Sequence, residues 1–106
     1  MTVTKEVKRG RIHRPPTHPG LVLREDVIPN LNVSVTAFAE GVHTSRQTLH
    51  KILAEQKSIT PEMALKIGKF VGNGPGVWLR MQQAYDLYWA EQAIAEELEK
   101  IHACCA

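Results

Sequence analysis

From Ser45 to Leu53 the chain reads SRQTLHKIL, and Arg46, Gln47, Thr48, His50 and Lys51 crowd five hydrogen-bonding or cationic side chains into it. Gln47 carries a donor and an acceptor side by side, Arg46 a fork of donors, Lys51 a compact charge and Thr48 a hydroxyl beside a methyl. Such groups suit recognition of a polar edge rather than bond-making. Catalysis would need a nucleophile beside a base, or carboxylates that converge. Glu25 and Asp26 are adjacent and diverge on a helix, and no Gly-rich phosphate loop follows a strand. His13, His18, His43, His50 and His102 fall into no HExxH or comparable metal spacing. The expectation is a binding protein, not an enzyme, with neither cofactor nor metal.

Two short helices must position this row. Ser34 is a natural cap, and Val35, Phe38, Ala39 and Val42 follow it as one apolar stripe at i, i+3, i+4 and i+7. Ser45 caps the next helix, which turns Leu49, Ile52 and Leu53 inward. At roughly 100° per residue, Gln47 and Lys51 point away from that edge, Thr48 and His50 flank them, and Arg46 splays from the start. This is a helix-turn-helix layout, with small Ala39 where the helices cross. In such a layout the second helix enters the DNA major groove: Gln pairs with adenine, Arg or Lys with guanine, and a threonine methyl meets a thymine methyl. The free N–H groups beside Ser45 can hold a phosphate. Any one of these residues alone reads as merely solvated; the cap, spacing and crossing residue together reverse that reading.

The flanking elements are also helical. "THPGLVLREDVIP" predicts a first helix that opens at Pro19, buries Leu23 and Val27 with Val22 beside them, and stops at Pro29. His18 helps to begin it. Thr60-Pro61-Glu62 opens a fourth helix supported by Ala64, Leu65, Ile67 and Val71, and Gly72-Asn73 stops it. A fifth is expected from near Pro75 to about Ile101, longer than a five-helix domain requires. Its far end carries Leu87, Ile94, Leu98 and Ile101 with Ala90 and Ala93, a stripe that best suits pairing with a second copy. Trp78, Tyr85, Tyr88 and Trp89 read mostly as core. There is no strand signal, so the class is all-α.

The 106 residues make one domain with extensions: a flexible basic arm over 1–16, the helix-turn-helix domain over 17–89, and a C-terminal helix extension and tail over 90–106. Lys5, Lys8, Arg9, Arg11, Arg14 and Arg24 oppose only Glu6 in the first 24 residues, an asymmetry that suits a polyanion at that end. The arm and Lys57 join Ser45 as candidate phosphate contacts, the arm being equally readable as a solvated tail. No apolar run nears the roughly 20 residues of a membrane helix, and the start lacks a secretory signal, so a cytoplasmic location with no membrane contact is expected. Cys104 and Cys105 are adjacent at the C-terminus and fit no usual ligand spacing, with or without His102.

Three segments, "HPGLVLREDVIP", "SVTAFAEGVHTSRQTLHKIL" and "ITPEMALKIGKFVGNGPGVWLRMQQAYDL", resemble in order those of the HigA/VapI-type antitoxins, small Xre/Cro-like helix-turn-helix proteins. The resemblance covers roughly residues 18–89. It rests on His18-Pro19-Gly20, Ser45-Arg46-Gln47-Thr48, Ile59-Thr60-Pro61-Glu62-Met63-Ala64 and Trp78-Leu79. It implies a five-helix Cro/lambda-repressor-like domain that binds a palindromic operator as a homodimer, represses its own operon and neutralises a RelE-like mRNA interferase. By position, the family's base-reading residues fall on Arg46, Gln47, Thr48 and Lys51. The chain departs from the family at three places. His43 stands where the interhelical turn usually has glycine, Ala54-Glu55-Gln56-Lys57 replaces a connector that usually runs Asn-Gly and then basic, and Gly74 replaces a capping serine before Pro75. A solitary regulator of the same fold with no toxin is the alternative. A sensor using His102, Cys104 and Cys105 is a further one.

Overall fold

The first helix continues through Pro29, and its hydrogen bonds make that possible. The computed structural model describes residues 15–104, so the arm over 1–16, but for Pro15 and Pro16, lies outside the described residues, as does Cys105. α1 runs from Pro19–Val22 through a wide π-turn, Leu23–Val27, into Ile28–Leu31. Pro29 does not end it, contrary to the sequence expectation: Ile28 keeps helical angles (φ −63°, ψ −45°) and its N–H reaches back to the Leu23 carbonyl. The wide turn makes room for the proline ring, which then occupies the first turn of the segment beyond, where no N–H is required. Asn32, in the left-handed region at φ 58°, ends the helix instead.

Three of the next four helices begin as their residues dictate. α2 (Val35–Gly41) is capped by Ser34, α3 (Arg46–Leu53) by Ser45 and α4 (Pro61–Val71) by Thr60, each hydroxyl accepting an N–H of the first turn. Such a cap contributes about 1 kcal/mol. α5 (Gly76–Ala93) starts at Pro75 with no side-chain cap, as the Gly74 departure leads one to expect. The loop there is fixed otherwise. The Gly74 N–H donates to the Gly68 carbonyl at 3.2 Å, and the Trp78 indole N–H donates to Asn73 at 3.1 Å. Gly68 permits that approach, since a Cβ there would lie 2.3 Å from the Gly74 carbonyl carbon.

Leu23, Phe38, Val42, Leu49, Ile52, Ile67 and Trp78 are wholly enclosed and form one core with every helix from α1 to α5. Burying each aliphatic or aromatic side chain contributes roughly 1.5–3 kcal/mol before entropy is counted. Leu65 was expected to support α4 from within and is instead 60% exposed. The inward face of α4 passes through Ala64, Ile67 and Gly68, and Leu65 lies about 100° off it. Of the four C-terminal aromatics only Trp78 is core; Tyr85 and Tyr88 are half-buried and Trp89 is exposed.

The C-terminal extension departs from a single rod. α5 stops at Ala93, Ile94 adopts φ −120°, and a short α6 (Ala95–Glu99) follows. The fold is all-helical among the described residues, and no helix in it is long and apolar enough to cross a membrane.

Candidate nucleic-acid interface

The α2–α3 pair is built so that its turn and its caps share atoms. Ala39, buried at the crossing, gives its carbonyl to the Thr44 N–H at 3.0 Å, and the Glu40 carbonyl accepts the His43 N–H at 3.2 Å. His43 takes φ 56°, the left-handed angle that the turn demands and that a glycine would adopt without strain. From α4, Lys66 donates to the His43 carbonyl at 3.1 Å, pinning the turn from outside. The start of α3 follows at once. Ser45 Oγ accepts the Thr48 N–H at 3.0 Å and donates to Thr48 Oγ1 at 2.9 Å. Its hydroxyl is thus spent on the cap, and what it offers an anion is the pair of first-turn N–H groups it orients.

Along α3 the inward and outward edges separate as the spacing predicts. Leu49, Ile52 and Leu53 are buried, whereas Arg46, Gln47, His50 and Lys51 are exposed and Thr48 is half-buried. Lys57 is exposed in the connector rather than on the helix. The geometry gathers six of the seven candidate residues at one short helix and its cap, with Lys57 at the far end.

That far end holds what sequence reasoning missed. Glu55 takes φ 64°, and its N–H donates to the Ile52 carbonyl at 3.0 Å while Gln56 donates to Lys51 at 2.9 Å. This closes α3 in a Schellman turn whose left-handed position is usually glycine. Arg24, from α1, donates to the Leu53 carbonyl at 2.6 Å and pairs with Glu55 at 3.8 Å. Gly20, one turn earlier in α1, lets the two helices touch: a Cβ there would lie 1.9 Å from the Ile52 carbonyl oxygen. A glycine in the first turn of a helix was the available signal for close approach. Arg24 gave none.

Two further polar groups hold the frame. Buried His18 caps α1, its Nδ1 accepting the Gly20 N–H at 2.9 Å, as the sequence suggested. Burial pushes its pKa below the ordinary 6.5, against the weaker pull of Glu55 and Asp86. Gln82, buried on α5, accepts the Ile59 N–H at 2.8 Å and donates to Asp86 at 3.0 Å, fixing the approach to α4. No three His, Cys, Asp or Glu side chains converge as a metal site among the described residues.

A five-helix core that presents the outer edge of its third helix defines a helix-turn-helix protein of the Xre/Cro-like class. The virulence-associated protein I of Dichelobacter nodosus is 37% identical over 86 residues, which span 81% of this chain and 80% of that one. The antitoxin HigA of Pseudomonas aeruginosa, solved with the higBA promoter, superposes with a TM-score of 0.78 at 27% identity over 86% of this chain and 99% of that one. The antitoxin GraA in complex with its operator does so with a TM-score of 0.80 at 29% identity, covering 92% and 100%. No family model matches the sequence. The chain belongs to the HigA/VapI-type family of helix-turn-helix proteins.

Proposed function

We propose that this protein is a sequence-specific DNA-binding antitoxin that represses its own operon. The observation that carries the reading is the outward row on α3: Arg46, Gln47, His50 and Lys51 exposed along a helix whose other edge is buried. At eight residues α3 is about 12 Å long, close to the width of the major groove it would enter. Two proteins of matching fold, the antitoxins HigA and GraA, were solved with promoter or operator DNA, which supports the reading. Gln47 and Lys51 meet base edges, Arg46, Thr48 and His50 meet bases or adjoining phosphates, and the N–H groups beside Ser45 take a phosphate with Lys57 at the other end. Residues 17–89 form the reading unit, with 1–16 as a basic arm and 90–106 as an extension.

A palindromic operator has half-sites about 34 Å apart and needs two copies. The exposed stripe of Leu87 on α5, Ile94 at the break, Leu98 on α6 and Ile101 just beyond it is apolar enough to join them. The protein partner of such an antitoxin is a RelE-like mRNA interferase, read from family membership alone. Titration of the chain onto its own promoter and onto a scrambled duplex, at several salt concentrations, tests the DNA reading. Equal affinity for both duplexes overturns it. Co-purification with the product of the neighbouring reading frame separates an antitoxin from a regulator that works alone.

A further inference from the structure

A recognition helix has two ends, and on this protein the exit sets negative groups among cations. The start of α3 carries unpaired N–H groups and Arg46; its exit carries the last carbonyls of the helix, a negative pole, and immediately beyond it Glu55, set between the cations Lys51 and Lys57. A helix about 12 Å long laid in a groove of similar width brings both ends within a Debye length, roughly 10 Å at 0.1 M salt, of a phosphate strand. The carbonyl pole and Glu55 would therefore repel the phosphate strand that Lys57 is read as meeting. Arg24 meets both sources of that repulsion at once, donating Nη1 to the Leu53 carbonyl and placing Nη2 3.8 Å from Glu55. Its Nε also bonds Glu25 at 3.0 Å, so the formal charge of the three side chains is −1 with the guanidinium present and −2 without it.

We infer that Arg24, though on α1 and off the reading face, is a positioning residue for duplex binding: it caps the exit of α3 and screens Glu55 from the phosphates. This rests on the DNA reading of α3. Gly20 supplies the geometry, since only a bare backbone lets α1 lie close enough to α3 for an arginine one turn on to span its last carbonyl. A lysine would bring the charge without the fork that serves a carbonyl and a carboxylate together.

The test is a double-substitution cycle in the full chain, read by fluorescence anisotropy on a labelled duplex from its own promoter. Arg24→Ala is expected to weaken binding about tenfold near 0.1 M salt, with the loss shrinking as salt is raised and the unscreened Glu55 is masked. Adding Glu55→Gln should restore affinity to within about threefold of Glu55→Gln alone. Arg24→Gln, which keeps a donor for the Leu53 carbonyl but not the charge, replaces Arg24→Ala in the cycle if thermal denaturation shows the latter unfolded. Unchanged binding by the folded Arg24 variant, or a double variant as weak as the single one, overturns the role of Arg24. Wild-type protein that does not prefer its promoter over a scrambled duplex overturns the DNA reading itself, a result the wild-type control isolates.

Discussion

The His18 ring stands edge-on to Tyr85, with centroids 4.8 Å apart, and turns Nδ1 to the Gly20 N–H at 2.9 Å. An acceptor nitrogen has to be unprotonated, so the first turn of α1 is built for neutral imidazole. Burial lowers the pKa in the folded state from 6.5. The unfolded chain therefore binds the proton more readily. Stability from this group is complete above pH 6.5 and is lost as the pH falls through the lower, folded value. Melting temperatures recorded from pH 7.5 downward should drop more steeply for wild type than for His18→Asn, which keeps a capping oxygen that does not titrate. Parallel curves for the two would remove His18 from the acid response.

Glu55 holds φ 64° in the closing turn of α3, where a side chain with Cβ costs roughly 1–2 kcal/mol over glycine. Its exposed pairing with Arg24 returns at most about 1 kcal/mol. Glu55→Gly is accordingly expected to raise unfolding free energy by up to about 2 kcal/mol in urea titrations, and a loss of stability would contradict the strain. His43→Gly, at φ 56°, should gain less, because histidine visits that region more readily than glutamate.

What the sequence disclosed was whatever is encoded locally. Ser34, Ser45 and Thr60 name three helix starts because a hydroxyl caps the turn it precedes, and Leu49, Ile52 and Leu53 name the inward edge of α3 by spacing alone. The misreadings have one cause each. Pro29 is helical because of a π-turn that forms two residues before it, and no pattern in the sequence announces that bond. Ile94 breaks the last helix without a glycine or proline to mark it. Arg24 and Gln82 act on Leu53 and Ile59, 29 and 23 residues away, and contacts at such range leave no period to read.

Gln82 is the acceptor for the Ile59 N–H at 2.8 Å in the buried approach to α4. Gln82→Leu preserves much of the volume and removes the oxygen. An unmatched buried N–H costs about 1–3 kcal/mol, and denaturant unfolding should show a loss of that size. Asp86→Ala, which removes only the second partner of Gln82 and leaves the acceptor for Ile59, should lose less; equal losses would assign the effect to the Asp86 bond.

Gly20→Ala places a methyl where the Ile52 carbonyl oxygen lies 1.9 Å from the Cβ position. Backbone on both sides leaves no side chain to swing away, so α1 must shift off α3. The expected cost is about 1–3 kcal/mol in urea unfolding. Promoter affinity should fall with it, because the same shift withdraws Arg24 from the exit of α3.

Gln47 separates reading from folding. It is exposed, its helix start is capped by Ser45 and not by itself, and the core edge of α3 lies on the opposite side. Gln47→Ala should therefore leave the melting temperature unchanged within error, since alanine favours a helix at least as well. Promoter affinity should fall by roughly 1–3 kcal/mol, with base preference relaxed at one position of each half-site. Lys51→Ala, losing a charge, should weaken scrambled and promoter duplexes more evenly and flatten the salt dependence. Both substitutions together leaving promoter binding intact would put the reading face somewhere other than α3.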